Sequence, residues 1–170
     1  MPISLRKATV ADCELLHGMK RKSFKPILDK YQDYATNPGA EPIERTRRRL
    51  CEPNSDFYLI QLDDADIGAI RIVHNGDTCE LKQLFILPAH QGNGYAQQTI
   101  AFAESLYPGA KRWSLDTISQ EEKLCHLYEK MGYRRTGEEK PLADGMTLIF
   151  YAKQICPHAA AGSLRRSPLG

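Results

Sequence analysis

The chain has 170 residues, 42% of them apolar and 26% charged, with a formal net charge of +2. That length suits one ordinary domain with its own core, and the balance of apolar to charged residues argues against a disordered or fibrous chain. A net charge this small is no basis for expecting a nucleic-acid partner. Five cysteines include no C-x-x-C pair and no histidine at zinc-ligand spacing, and their odd number fits reduced thiols better than a disulfide framework, so no metal is expected. The start, Met-Pro-Ile-Ser-Leu-Arg-Lys, has no apolar stretch of the signal-peptide kind, and no run approaches the ~20 apolar residues of a membrane-spanning helix. A cytoplasmic protein without membrane partners is the expectation.

Alternation predicts a first strand over Ile3 to Ala8. Thr9 followed by Asp12 reads as a capping box, opening a helix that runs to about Phe24 with Leu15, Leu16 and Met19 inward. Lys25 to Pro42 is expected to be irregular, because Pro26, Asn37, Pro38, Gly39 and Pro42 all break regular structure. A short helix follows over about Ile43 to Leu50. Phe57–Leu62 and Ile67–Val73 read as strands joined at Asp63–Asp66. Asn75-Gly76-Asp77 is a hairpin turn into a strand from Cys79 to Leu87. Pro88 stops that strand, and a helix is expected from Gly92 or Asn93 to Leu106. Then come a strand, Arg112–Thr117, a helix from about Ser119 to Met131 ended by Gly132, and strands at Tyr133–Thr136 and Met146–Lys153. Three hairpin-linked strands before two strand–helix units predict a mixed sheet. The Ala-, Gly-, Ser- and Pro-rich stretch 156–170 is expected to be a disordered tail to a domain spanning 1–155.

The chemistry concentrates in Glu80-Leu-Lys-Gln-Leu-Phe-Ile-Leu-Pro88-Ala-His-Gln91-Gly92-Asn93-Gly94-Tyr95-Ala96. A strand ends at a proline, and a glycine-rich turn feeds straight into a helix. Glycines let the backbone approach a ligand closely, and the first helical N–H groups have no intrahelical partner. With the helix dipole added, this is a site for a phosphate or pyrophosphate. There is no G-x-x-x-x-G-K-[ST], so the turn is not a P-loop. Gln97 stands where a dinucleotide-binding G-x-G-x-x-G would need its third glycine.

Gln91-Gly92-Asn93-Gly94-Tyr95-Ala96 resembles the Q/R-x-x-G-x-G/A signature of the GNAT acetyltransferase superfamily. Leu127-Tyr128-Glu129-Lys130-Met131-Gly132-Tyr133 resembles that family's L-Y-x-x-x-G-F/Y ending. The two motifs stand in the family's order, and the resemblance covers Ile3 to about Lys153. It implies an α+β, three-layer fold with a mixed, centrally splayed sheet flanked by helices. It also implies acetyl-CoA as cosubstrate, an amine as acceptor, and a monomer or homodimer. By the same resemblance, the N–H groups of Gly92, Asn93, Gly94, Tyr95, Ala96 and Gln97, beginning at Gln91, would hold the pyrophosphate. The edge of Leu84, Phe85 and Ile86 would hold the pantetheine arm and thioester. Glu121 stands where many members carry a pantetheine-binding asparagine.

Transfer to an amine needs a proton acceptor for the mostly protonated amine and a donor for the departing thiolate. Tyr128 occupies the family's acid position, although Leu124, Leu127, Tyr128 and Met131 also follow the spacing of a buried helix face. Glu80, 11 positions before Gln91 (91 − 80), and Asp116 are the base candidates, with water as the remaining one. Glu80 also reads as a carboxylate paired with Lys82, and Asp116 as a cap for the following helix. The Arg45, Arg47, Arg48 and Arg49 run reads as a solvated helix face. The five histidines lack metal spacing, and Trp113 and Tyr31–Tyr34 are candidates to line the acceptor side. The expected activity is acetyl transfer from acetyl-CoA to a primary amine of a small molecule or a protein. The alternatives are a non-catalytic acyl-CoA-binding domain and an acyltransferase with another donor.

Overall fold

A computed structural model describes residues 2–143 and 145–155. The stretch 156–170, expected to be a disordered tail, lies outside the described residues. The elements follow one another as β1 (Ser4–Lys7), α1 (Cys13–Tyr31), α2 (Ile43–Cys51), β2 (Ser55–Leu62), β3 (Ala65–Asn75), β4 (Thr78–Ile86), α3 (Tyr95–Ser105), β5 (Arg112–Ile118), α4 (Glu122–Lys130), β6 (Arg134–Ala143) and β7 (Met146–Gln154). The order is the one the sequence predicts, and the fold class is the expected α+β. The strands form one sheet in the order β1-β2-β3-β4-β5-β7-β6.

Turn chemistry sets the strand directions. Asp63, at φ 52°, starts a two-residue turn between β2 and β3, and Gly76, at φ 66°, makes the turn between β3 and β4. Such short links force antiparallel pairing. β4 and β5 are instead connected through α3, and they form the sheet's parallel pair. Phe57, Leu59, Ala69 and Phe85 on one face pack against Leu16 and Met19 of α1. Ile70, Ile72, Leu81 and Leu115 on the other pack against Ile100 and Ala103 of α3 and Cys125 and Tyr128 of α4. The sheet is therefore the middle of three layers.

Two element boundaries need correction, and Leu15, expected to face inward on α1, is exposed. α1 does not stop at Phe24 but continues through Pro26 to Tyr31. A proline in a helix loses one hydrogen bond, and here the helix survives that loss until Gln32. Gln32 adopts a left-handed φ of 54°, and its N–H closes the helix on the Leu28 carbonyl at 2.7 Å. β6 also runs to Ala143 instead of ending at Thr136. Its register with β7 shifts between Arg135 and Glu139, around Gly137 at φ 96°. A polar edge strand broken by a bulge carries little alternation for a sequence reading to find.

The feature that positions the site lies in the middle of the sheet. β4 pairs with β5 only from Thr78 to Leu81, opposite Arg112 to Leu115. The register of β4 against β3 slips at the same place: Leu81 faces Ile72 and Gln83 faces Arg71, so Lys82 is an extra residue. A bulge bends and twists its strand. This one turns the remainder of β4 away from β5, and the sheet splays open.

Candidate active site

Beyond Leu81, the β5 side of β4 is a free backbone edge. A residue's N–H and C=O point to the same side of a strand, and successive residues alternate. Leu87 donates its N–H to the Ile67 carbonyl of β3 at 2.8 Å, so Phe85 also turns toward β3. Leu84 and Ile86 therefore turn their backbone groups into the splay. Of the three residues expected to hold a pantetheine arm, two offer main-chain groups there. Phe85 instead buries its ring edge-on against Phe24 of α1, with centroids 5.8 Å apart.

The glycine turn closes one end of this edge. Gly92 and Gly94 both have φ of 80°, and a Cβ added at either would meet nothing within 4 Å. They are glycines for backbone conformation and open access, not because packing is tight there. No side chain caps α3, and Gln98 is the first residue of the turn whose N–H finds a helical carbonyl, that of Gly94 at 3.2 Å. The N–H groups from Asn93 to Gln97 are thus presented together at a helix start, the arrangement that takes an anion. Gln91 has a different task from the one expected. Its side-chain amide donates to the Ile86 carbonyl at 2.8 Å, bracing the turn against the end of β4. Asn93 ties the turn to the carbonyls of His90 and Gln91 at 3.1 and 3.3 Å. Tyr95 and Ala96 pack beside Ile86 and Leu84.

Tyr128 projects from α4 and is 6% exposed. Its ring lies 6.3 Å from that of Tyr133 and 6.2 Å from that of Tyr151, so the core reading of this residue holds. Burial, and then the charge of Asp116, raise its hydroxyl above the usual tyrosine range. Asp116, two residues past the Glu80–Ser114 pair, lies on the α1 and α2 face with Glu80. It is half-buried, and it caps nothing: α4 begins without a side-chain cap. Burial raises its carboxyl and Glu80 adds to that, while Lys82 opposes it. Glu80 is partly exposed and pairs with Lys82 at 3.2 Å, the pairing its place beside Lys82 suggests. Tyr128 thus lies on the α4 side of the sheet and Glu80 and Asp116 on the other, with Asp116 near enough for its charge to act on the Tyr128 hydroxyl.

Glu121 is turned to a use the sequence did not suggest. Its carboxylate accepts hydrogen bonds from Lys30 Nζ at 2.8 Å and Tyr31 Oη at 2.7 Å. Burial works to raise this carboxyl, but those two bonds together outweigh it and hold it below the usual carboxylate range. The contact joins Tyr31 at the end of α1 to the segment between β5 and α4. Trp113, also a candidate for the acceptor side, is 1% exposed and packs edge-on against Tyr107 in the core. Arg45, Arg47 and Arg48 are exposed, as a solvated face should be, and Arg49 pairs with Glu41 at 2.9 Å. Among the described residues no three His, Cys, Asp or Glu side chains are grouped to hold a metal ion, and no helix is long and apolar enough to cross a membrane. The sequence reading passed over Gln83 and Ser23, two buried polar groups beneath α1. No local pattern marks them, since both depend on how α1 lies across β4.

The acetyltransferase (GNAT) domain model matches residues 53–135, from the start of β2 through the turn to the start of β6. That segment is a GNAT acetyltransferase domain. The N-acetyltransferase YjgM of Escherichia coli (strain K12), itself uncharacterized, is 26% identical over 88 residues, 48% of this chain and 53% of that protein. The matched segment thus spans about half the length of that curated relative. Among solved structures, an acetyltransferase from Thermus thermophilus superposes with a TM-score of 0.72 at 20% identity, over 91% of this chain and 98% of that one. A PaiA N-acetyltransferase from Thermoplasma acidophilum, in complex with coenzyme A, gives 0.67 at 21% identity, over 91% and 100%. A spermidine N-acetyltransferase from Vibrio cholerae, in complex with CoA and spermine, gives 0.72 at 19% identity, over 89% and 95%. At these identities the structures speak for the shared fold.

Proposed function

We propose that this chain transfers an acetyl group from acetyl-CoA to a primary amine, by direct attack of the amine on the thioester. The observation that carries this reading is the splay. The free edge of β4 and the open N–H groups of the glycine turn border it, and Asp116 lies near enough for its charge to act on the Tyr128 hydroxyl. Leu84 and Ile86 would hold the arm of the cosubstrate by main-chain bonds, and the N–H groups of Asn93 to Gln97 its pyrophosphate. The cosubstrate supplies an acetyl group activated as a thioester.

The protein's own contribution is position and proton transfer. An alkylamine carries a proton at neutral pH and must lose it to become a nucleophile. Asp116 is the better placed acceptor of that proton. Burial raises its half-buried carboxyl above the usual carboxylate range, whereas Glu80 is occupied by Lys82. As the new C–N bond forms and the C–S bond breaks, Tyr128 donates its proton to the leaving sulfur. Burial keeps that hydroxyl protonated across the working range. The same apolar surroundings penalise a thiolate, so the sulfur takes the proton more readily there than in water.

The test is thiol release from acetyl-CoA across a panel of spermidine, butylamine and a peptide with a free amino terminus. Release that depends on one of these amines, with the acetylated product found by mass spectrometry, supports the reading. Tight acetyl-CoA binding by calorimetry with no release from any amine would make the chain a binding module instead.

A further inference from the structure

Gln83 is the first residue of β4 past the bulged Lys82, on the face that α1 covers. It is 8% exposed, and its side-chain carbonyl oxygen, Oε1, is buried with no hydrogen-bond partner among the described residues. A buried amide oxygen left unpaired is costly, and folded chains seldom keep one without a reason. Its neighbour across the register, Arg71, is the obvious donor but is committed elsewhere, to Ser55 at 3.0 Å and Glu52 at 3.1 Å. The Ser23 hydroxyl on α1 is a second buried oxygen without a partner. Phe24, next in the chain, packs on Phe85, which shares a face with Gln83 two residues along β4. The Gln83 oxygen therefore lies on the α1-covered face of the diverging half of β4, the face of the Asp116 carboxylate, and the Ser23 oxygen lies on the helix that covers it.

We propose that Gln83 is a specificity-determining residue of the acceptor site, its side-chain carbonyl accepting a hydrogen bond from an N–H of the incoming amine, with the Ser23 hydroxyl of α1 as a second acceptor. The proposal rests on the N-acetyltransferase reading and deepens it. An amide oxygen can only accept, so the group that satisfies it must donate. An ammonium has three N–H bonds: it gives one proton to the base and still has donors for Gln83 and Ser23. An alcohol has a single O–H, which the base must take, and it would leave Gln83 unpaired. The patch thus selects nitrogen over oxygen acceptors through hydrogen-bond count.

The experiment compares wild type with Gln83→Met, which keeps the volume and removes the oxygen, and with Gln83→Glu, which keeps an acceptor oxygen. Butylamine is the acceptor probe, because apart from its N–H groups it offers only an alkyl chain. The readouts are its KM and kcat, the Kd of acetyl-CoA, the melting temperature, and ligand-observed NMR binding of butylammonium to the CoA-bound protein. The expected result is a KM raised roughly tenfold in Gln83→Met, with kcat and acetyl-CoA affinity little changed and an unchanged or higher melting temperature. Gln83→Glu should retain the wild-type KM or lower it, and butylammonium binding should weaken in step with KM. An unchanged KM in a folded Gln83→Met overturns the proposal. So does a fall in melting temperature without a change in KM, which would make the residue structural. If wild type binds butylammonium but transfers nothing to it, the transfer reading fails; loss of that binding in Gln83→Met would then still support the Gln83 contact. A wild type that neither binds nor acetylates butylamine overturns both.

Discussion

The two sides of the free half of β4 are built by different means. On one side the groups offered are backbone: the main chain of Leu84 and Ile86, and the N–H groups that follow Gly92 and Gly94. On the other they are side chains brought from distant segments: Ser23 and Tyr31 from α1, Glu80 and Gln83 from β4, Asp116 from β5 and Glu121 from the start of α4. A backbone site depends on conformation, so it needs particular residues only where the backbone needs them. A side-chain site depends on which elements pack together, and its residues can change without touching the sheet. The contrast suits a fold that keeps one cosubstrate while its acceptor varies.

The sharpest attack on this division is at the protons, which the proposed mechanism assigns to side chains from both faces of the sheet. Tyr128→Phe keeps the ring that packs against Tyr133 and Tyr151 and removes only the donor. A fall in kcat of roughly 10²- to 10⁴-fold is expected, with acetyl-CoA affinity close to wild type. A normal turnover rate would return Tyr128 to the core and leave the leaving sulfur without an acid from this residue. Asp116→Asn should cost roughly 10²-fold and remove the acidic limb of the pH–rate profile, while Glu80→Gln should keep that limb. The reverse pattern would move the base to Glu80. Linkage adds an independent check. The folded carboxyl of Asp116 is raised, so its ionisation opposes folding above the unfolded carboxylate range of about 4. Asp116→Asn should therefore raise the melting temperature at pH 7, and that gain should vanish below about pH 4.

The backbone side is tested by Gly94→Val. A β-branched residue at φ 80° carries strain of about 1–2 kcal/mol, and its side chain projects into the open space above the turn. Acetyl-CoA affinity should fall at least ~10-fold, with only a modest loss of stability, since a Cβ at Gly94 meets no neighbour. Unchanged affinity in the folded variant would remove the turn from the cosubstrate site.

This contrast also explains what could be read from the residues alone. The glycine turn, the element order and the Tyr128 helix were legible because each is a local pattern: a periodicity, a capping box or a turn residue. The passage of α1 through Pro26 was not, because the loss of one hydrogen bond looks like a stop signal until the rest of the helix is seen to hold. Nor was the splay itself. It arises from one extra residue, Lys82, in the register of β4 against β3, and no run of residues announces a bulge. Trp113, a candidate for the acceptor side, belongs to the core, a question of which face of β5 its alternation selects. Gln83 and Ser23 matter only because α1 lies across β4, a fact of assembly with no trace in either segment.

Glu121 lies on the boundary between the two sides, and its expected effects are the smallest. The resemblance to the family would put it on the pantetheine arm, whereas its hydrogen bonds go to Lys30 and Tyr31 of α1. If it serves α1, Glu121→Gln should leave acetyl-CoA affinity within about threefold of wild type, since the main-chain contacts on the cosubstrate side are untouched. Its contribution to stability should also be small, because Lys30 is largely exposed. An exposed pair of this kind contributes little, and its loss should lower the melting temperature of a chain this long by at most ~4 °C. The sign with pH is opposite to that of Asp116. The folded carboxyl of Glu121 is lowered, so its stabilisation is complete above the unfolded value of about 4.3 and is lost as pH falls through the lower folded value. Melting scans of wild type and Glu121→Gln should therefore differ at pH 7 and converge in strong acid, and the difference should shrink in high salt. A tenfold loss of acetyl-CoA affinity with no change in melting temperature would mean the opposite. Glu121 would then leave α1 when the cosubstrate binds, and one acidic side chain would join the backbone groups on that side of β4.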